Sequence, residues 1–300
     1  MRLTPPRTRL QGLRLVAAVL TVILVVLLGG LGSRGPERPT YRHYVALGDS
    51  YTSAPFVPLT DVARGCFRSS NNYPHLVAQA LHIDDLQDRS CSGAQTHHLP
   101  GPQLTSPSTS VAPQFAALSA DTDLVTVSIG VNNGGLYARI ATVCRKLRTT
   151  CRLHDQRETL GAIVDRLRPE LVSTLEQVEE LAPDARVLLI SYPMLLPPRG
   201  NCGRLPHMRS QDRATFRTIN LRLRDEMRAA ADETRVEFVD FYRASLGHDV
   251  CSRHPYVQGR VGHARRGAAL HPLASGQAAV ARLVVEVLRR DSAEVATDAS

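Results

Sequence analysis

Tryptophan is missing from this 300-residue chain, and aromatic residues make up only 5% of it. That argues mildly against a broad aromatic platform of the kind on which sugar rings stack. Lysine is almost missing as well. Lys146 stands alone, so nearly all 36 basic residues are arginines, scattered along the sequence rather than gathered in one stripe. Four of them, Arg2, Arg7, Arg9 and Arg14, fall in the first 32 residues, where there is no acid, and the formal charge of +8 drops to +4 for the rest. So modest and dispersed an excess is no nucleic-acid footprint, and no nucleic-acid partner is expected. Close cysteine pairs are lacking too. The nearest two, Cys144 and Cys151, have six residues between them, whereas zinc sites use tighter spacings such as Cys-x-x-Cys. No metal or cofactor is expected. Finally, no long linker rich in Pro, Gly or Ser divides the chain after its N-terminal segment, and no internal repeat is found, so residues 41–290 read as one domain.

The one long apolar run covers residues 15–31, directly behind the four arginines, and reads as an export signal. About 17 residues span roughly 25 Å as a helix, short for a membrane crossing yet longer than most cleaved signal cores. Gly30-Leu31-Gly32 is a poor cleavage sequence. The preferred expectation is that residues 1–40 form a membrane anchor with a short linker, arginines cytoplasmic and the domain held outside in the cell envelope. Cleavage would instead give a secreted protein. An even number of cysteines, all beyond the run, suits an oxidising compartment. Residues 291–300, small and polar, are expected to be a disordered tail.

Strand-like segments occur at 44–47, 86–91, 124–129, 186–191 and 236–241, separated by helical stretches. The clearest helical stripe is Leu160, Ile163, Val164, Leu167, Leu171, Leu175 and Val178, at steps of three and four, with Pro169 expected to kink or split it. Others run over 211–233 and 275–290. Alternating strands and helices predict an α/β fold, a parallel sheet of about five strands covered on both faces. In such sheets the loops at the carboxyl ends of the strands build the site.

The first strand, His43-Tyr44-Val45-Ala46-Leu47, enters Gly48-Asp49-Ser50. That tripeptide is a common turn, but it also fits a nucleophile: glycine permits a sharp bend, aspartate fixes it, and Ser50 opens the next helix near unpaired amides. Gly93 in Ser90-Cys91-Ser92-Gly93-Ala94, Asn132 in Ser128-Ile129-Gly130-Val131-Asn132-Asn133, and His271-Pro272 follow in that chain order. Ser, Gly, Asn and His in this sequence resemble the SGNH hydrolases, the GDSL-type lipases and esterases, and most nearly their secreted actinobacterial members. The likeness runs from about Tyr44 to the helix after His271. It includes Cys66 followed by Asn72-Tyr73-Pro74, the stretch Gly247-His248-Asp249-Val250-Cys251-Ser252, and Gly276-Gln277 after the histidine block.

The resemblance implies a three-layer α/β/α flavodoxin-like sandwich and a serine carboxylic-ester hydrolase working through an acyl-serine intermediate. Ser50 would be the nucleophile and His271 its base, with the oxyanion held by the Ser50 and Gly93 amides and the Asn132 side chain. It also implies the sequential disulfides Cys66 with Cys91, Cys144 with Cys151 and Cys202 with Cys251. Two positions depart from the family pattern. The usual Asp three residues before the base is Ala268 here, so the Ala268 main-chain carbonyl is expected to orient the imidazole, with Asp240 or Asp249 as possible substitutes. Asn133 stands where the family's third block usually has Asp. The expected substrate is an ester, of a lipid or an acylated glycan, and the expected state is a monomer. Acyl transfer from the same Ser-His site, and a catalytically silent envelope binding protein, are the alternatives.

Overall fold

The computed structural model describes residues 41–144 and 150–298. The expected export segment and its linker lie outside those residues. Among the described residues no helix is long and apolar enough to cross a membrane.

Five strands form one sheet: β1 (His43–Gly48), β2 (Asp85–Asp88), β3 (Leu124–Ser128), β4 (Arg186–Ile190) and β5 (Glu237–Val239). Their spatial order is β2-β1-β3-β4-β5 and every pairing is parallel, in register from Tyr44 opposite Leu124 to Gly48 opposite Ser128 across the central pair. This is the flavodoxin-like order. The chain leaves β1 toward β2 on one side and returns to β3 on the other, opening a crevice at the carboxyl ends.

Strand alternation divides the apolar residues between two helical layers. On one face Tyr44, Ala46, Leu124, Leu188 and Ile190 pack with α2 (Tyr73–Leu81) and α8 (Ala274–Asp298). On the other, Val45, Leu47, Val125, Val127, Val187 and Leu189 meet α3 (Leu136–Cys144), α4 (Arg157–Asp165), α5 (Leu167–Leu181) and α6 (Ser210–Glu233). Two single-turn helices, α1 (Ser50–Ser53) and α7 (Phe241–Ala244), follow β1 and β5. The long stripe expected over 160–178 does split. Its break falls at Arg166, and Pro169 sits in the first turn of α5, where the missing N–H has no intrahelical partner to lose. The last helix continues to Asp298, into the segment expected to be a disordered tail. No glycine or proline follows Gly276 to stop it.

The three disulfides are the sequential ones. Cys66–Cys91 ties the chain beyond α1 to the segment leaving β2, and Cys202–Cys251 joins two long loops after β4 and β5.

Candidate active site

β1 ends in a turn that only glycine can open. A Cβ on Gly48 would lie 2.2 Å from Thr52 Oγ1 and 2.6 Å from the Ser128 carbonyl oxygen, far inside contact distance. The Gln114 side-chain amide brackets this glycine, accepting from its N–H at 2.8 Å and donating to its carbonyl at 2.9 Å. Asp49 donates its amide to the Ser128 carbonyl of β3 at 3.1 Å, and its carboxylate caps α1 by accepting from the Tyr51 amide at 2.9 Å. The turn thereby points Ser50 out of the strand with its N–H unused. Among the described residues that amide donates to no other group.

Gly93 arrives from the β2 side. Its φ of +80° lies in the left-handed region, and its carbonyl neighbour at Ser92 is pinned by Gln103 Nε2 at 2.8 Å. Ser92 Oγ lies 3.1 Å from Ser53 Oγ, which draws the loop against α1. The Gly93 amide is also without a partner among the described residues. From the β3 side, Asn132 donates one side-chain N–H to the Ala94 carbonyl at 3.0 Å, which fixes its amide and leaves the second N–H free. Asn133 anchors the same loop: its Oδ1 accepts from the Thr96 amide at 3.1 Å, and its Nδ2 donates to Thr96 Oγ1 and to the Glu170 carboxylate. An aspartate here would set two carboxylates against each other, so the departure from the family pattern matches its surroundings.

His271 Nε2 lies 2.7 Å from Ser50 Oγ, both residues being about 6% exposed. Its Nδ1 lies 2.8 Å from the carbonyl oxygen of Ala269. This corrects the expectation by one residue. The Ala268 carbonyl is occupied by the His271 amide, at 3.1 Å, closing a four-residue turn with Leu270 at φ +58°. The turn leaves the next carbonyl, that of Ala269, to face the ring. Neither substitute carboxylate reaches the imidazole: Asp240 pairs with Arg224 and Arg228 and caps α7, and Asp249 accepts from the Cys251 amide. His248 is elsewhere, its Nδ1 on the His254 carbonyl and its ring stacked on Tyr256 at 3.9 Å. The His97-His98 pair is likewise apart, with His98 Nδ1 accepting from the Gln95 amide.

Three tyrosines complete the site, and sequence reasoning missed their roles. Tyr51 stacks on His271 with centroids 5.0 Å apart and donates its hydroxyl to the Leu270 carbonyl at 2.7 Å. Tyr137 meets the ring edge-on at 5.3 Å and donates to the Ala269 carbonyl at 2.9 Å. Together they grip both carbonyls of the base turn, which holds a leucine in a conformation it seldom adopts. Tyr192, just beyond β4, donates to Asp49 and accepts from the Val131 amide at 3.0 Å, linking the Ser50 turn to the Asn132 loop. Its place at a strand's carboxyl end was the available signal. Gln114 had none.

Burial sets the charge state. Desolvation pushes His271 down to about 4, against a smaller upward pull from the Ala269 carbonyl, so the imidazole is neutral across the physiological range. Asp49 is driven up to about 7 by complete burial, with the Tyr192 hydroxyl and Tyr51 amide pulling the other way. A base must be unprotonated to act, so the loss of activity that follows His271 should come only as pH falls through about 4. A profile of kcat/KM against pH is the check, since it reports ionisations of the free enzyme. An acid limb centred near the ordinary histidine value and retained in an Asp49→Asn variant would contradict the buried, neutral imidazole.

A serine hydroxyl hydrogen-bonded to a neutral imidazole, beside two unused amides and a fixed amide N–H, is an arrangement for nucleophilic attack on a carbonyl. Among the described residues no group of three or more His, Cys, Asp or Glu is placed to hold a metal ion. The site and the flavodoxin-like sheet define a serine hydrolase of the SGNH class. The GDSL-like lipase/acylhydrolase family profile matches residues 46–279, and the chain belongs to that family. It is 33% identical to Lipase 2 of Streptomyces coelicolor over 265 residues, covering 83% of this chain and 86% of that one. The crystal structure of phospholipase A1 from Streptomyces albidoflavus superposes with a TM-score of 0.70 at 27% identity, over 82% of this chain and 98% of the other. That of the extracellular lipase from Streptomyces rimosus gives 0.70 at 25% identity, over 81% and 98%. The protein is thus a carboxylic-ester hydrolase of the GDSL type, a lipase or esterase.

Proposed function

We propose that this chain is an exported serine esterase or lipase that cleaves its substrate through an acyl-Ser50 intermediate. The observation that carries the mechanism is the 2.7 Å contact of Ser50 Oγ with His271 Nε2 while the other ring nitrogen faces a main-chain carbonyl. That carbonyl selects the tautomer with hydrogen on Nδ1, leaving the lone pair of Nε2 to accept the serine proton. Attack forms a tetrahedral oxyanion, received by the Ser50 and Gly93 amides and the free Asn132 N–H. His271 then returns the proton to the departing alcohol. Water repeats the sequence on the acyl-enzyme, regenerating Ser50.

Export rests on residues 15–31 behind their arginines, and on a relative described as extracellular. Lipid esters are the favoured substrates because relatives are named lipase and phospholipase A1. Nitrophenyl esters of graded acyl length, assayed with and without acceptor alcohols, test the reading. The expected result is a burst of nitrophenol followed by steady release of free acid. An acylated alcohol as the main product would make the protein an acyltransferase, and no turnover of any ester would leave a silent binding protein.

A further inference from the structure

Beside the base turn lies a concavity of about 290 Å³ that the reaction as described does not use. Arg204, Arg260 and Arg266 line it together with Gln258, Val257 and Leu273, and no acidic residue does. The surrounding sequence has the same bias: between Asp249 and Glu286 there is no acid at all, while arginine occurs at 253, 260, 265, 266 and 282. Elsewhere many arginines of this protein are paired, as Arg168, Arg186, Arg209 and Arg224 are with carboxylates. The guanidinium groups of Arg260 and Arg266 have no hydrogen-bond or ion-pair partner among the described residues. Arg204 gives one nitrogen to the Cys251 and Ser252 carbonyls, which fixes the side chain and leaves further N–H donors.

The pocket is built on fixed backbone. The Arg260 amide donates to the Arg204 carbonyl at 2.8 Å, and a Cβ on Gly259 would lie 2.9 Å from that same oxygen, so the two arginine-bearing segments touch only because residue 259 is glycine. The Cys202–Cys251 disulfide ties the Arg204 segment down. One wall is shared with the base turn: Gln258 donates its amide to the His271 carbonyl at 2.8 Å, Leu270 donates to the Gly259 carbonyl at 3.2 Å, and Val257 pairs with Pro272.

We propose that Arg204, Arg260 and Arg266 form a binding site for a phosphate group. Three arginines lining one concavity suit a tetrahedral anion, which offers more acceptor oxygens than a planar carboxylate. Its place against the base turn makes it a subsite for phosphate-bearing esters, an assignment that rests on the ester-hydrolase reading, whereas phosphate binding itself does not.

The test compares the full chain with its R260Q/R266Q variant in two arms. Calorimetric titration with inorganic phosphate should show binding that the variant weakens at least tenfold. The ratio of kcat/KM for a phosphate-bearing ester to that for a neutral ester of the same acyl chain should fall at least roughly 10- to 100-fold, the scale of losing one charge-assisted contact. A fall in that ratio assigns the site to substrate phosphate, and weakened phosphate binding at constant ratio assigns it to the free ion. Equal phosphate binding by both proteins together with a constant ratio overturns the proposal. Phosphate binding by a wild-type protein that cleaves neither ester would sink the hydrolase reading and leave the site standing.

Discussion

Ser50→Ala should lower kcat/KM for simple esters by about 10⁴- to 10⁶-fold, the range met when a hydrolase loses its serine nucleophile. Folding should survive. The Ser50 hydroxyl bonds only to His271 among the described residues, while the turn around it is held by other groups: the Asp49 cap, the Gln114 bracket and the Ser128 carbonyl. Circular dichroism and thermal unfolding of the variant should therefore match those of the wild type. Residual hydrolysis, if measurable, would come from the oxyanion donors, which remain in place. A serine-directed phosphonate supplies an independent readout by adding its mass to the peptide containing Ser50 in the wild type and to no peptide in the variant. Label on any other residue, or near-normal turnover by the variant, would remove Ser50 from the reaction.

The sheet was legible because the central strands are short apolar runs and most connections carry a helical period, and this combination leaves few arrangements open. Boundaries moved by a few residues, as at β2, expected over 86–91 and found over Asp85–Asp88. Ser50, Gly93, Asn132 and His271 were singled out for a different reason: alone each motif reads as an ordinary turn, and only their joint order along the chain resembles the SGNH pattern. The Ala269 carbonyl was not. Which main-chain oxygen faces a ring depends on the turn's dihedrals, and a leucine in the left-handed region at position 270 has no signature in composition or spacing. The tyrosines and Gln114 were hidden for a third reason, being long-range partners separated from their targets by 66 residues for Gln114 and Gly48 and by 143 for Tyr192 and Asp49.

The largest remaining consequence concerns a base that works without a carboxylate. His271→Ala should cost at least about 10⁴-fold in kcat/KM, because among the described residues no other group is bonded to the Ser50 hydroxyl to take its proton. Asp240→Asn and Asp249→Asn, if folded, should fall far short of the roughly 10⁴-fold penalty of neutralising a triad aspartate, since their partners are arginines and main-chain amides rather than the imidazole. A neutral carbonyl fixes the tautomer as a carboxylate would, but it contributes a dipole in place of a full charge and stabilises imidazolium less. The pull of burial is therefore largely unopposed, which is why His271 sits near 4 rather than near its ordinary value. Nitrogen-15 chemical shifts of His271 offer the direct measurement. In the resting enzyme above pH 5 they should report a neutral ring with hydrogen on Nδ1 and a bare Nε2. A ring that stays protonated to neutral pH, or activity that collapses in Asp240→Asn or Asp249→Asn while the fold is intact, would mean that a carboxylate reaches the imidazole and that the dyad is a triad assembled from another loop.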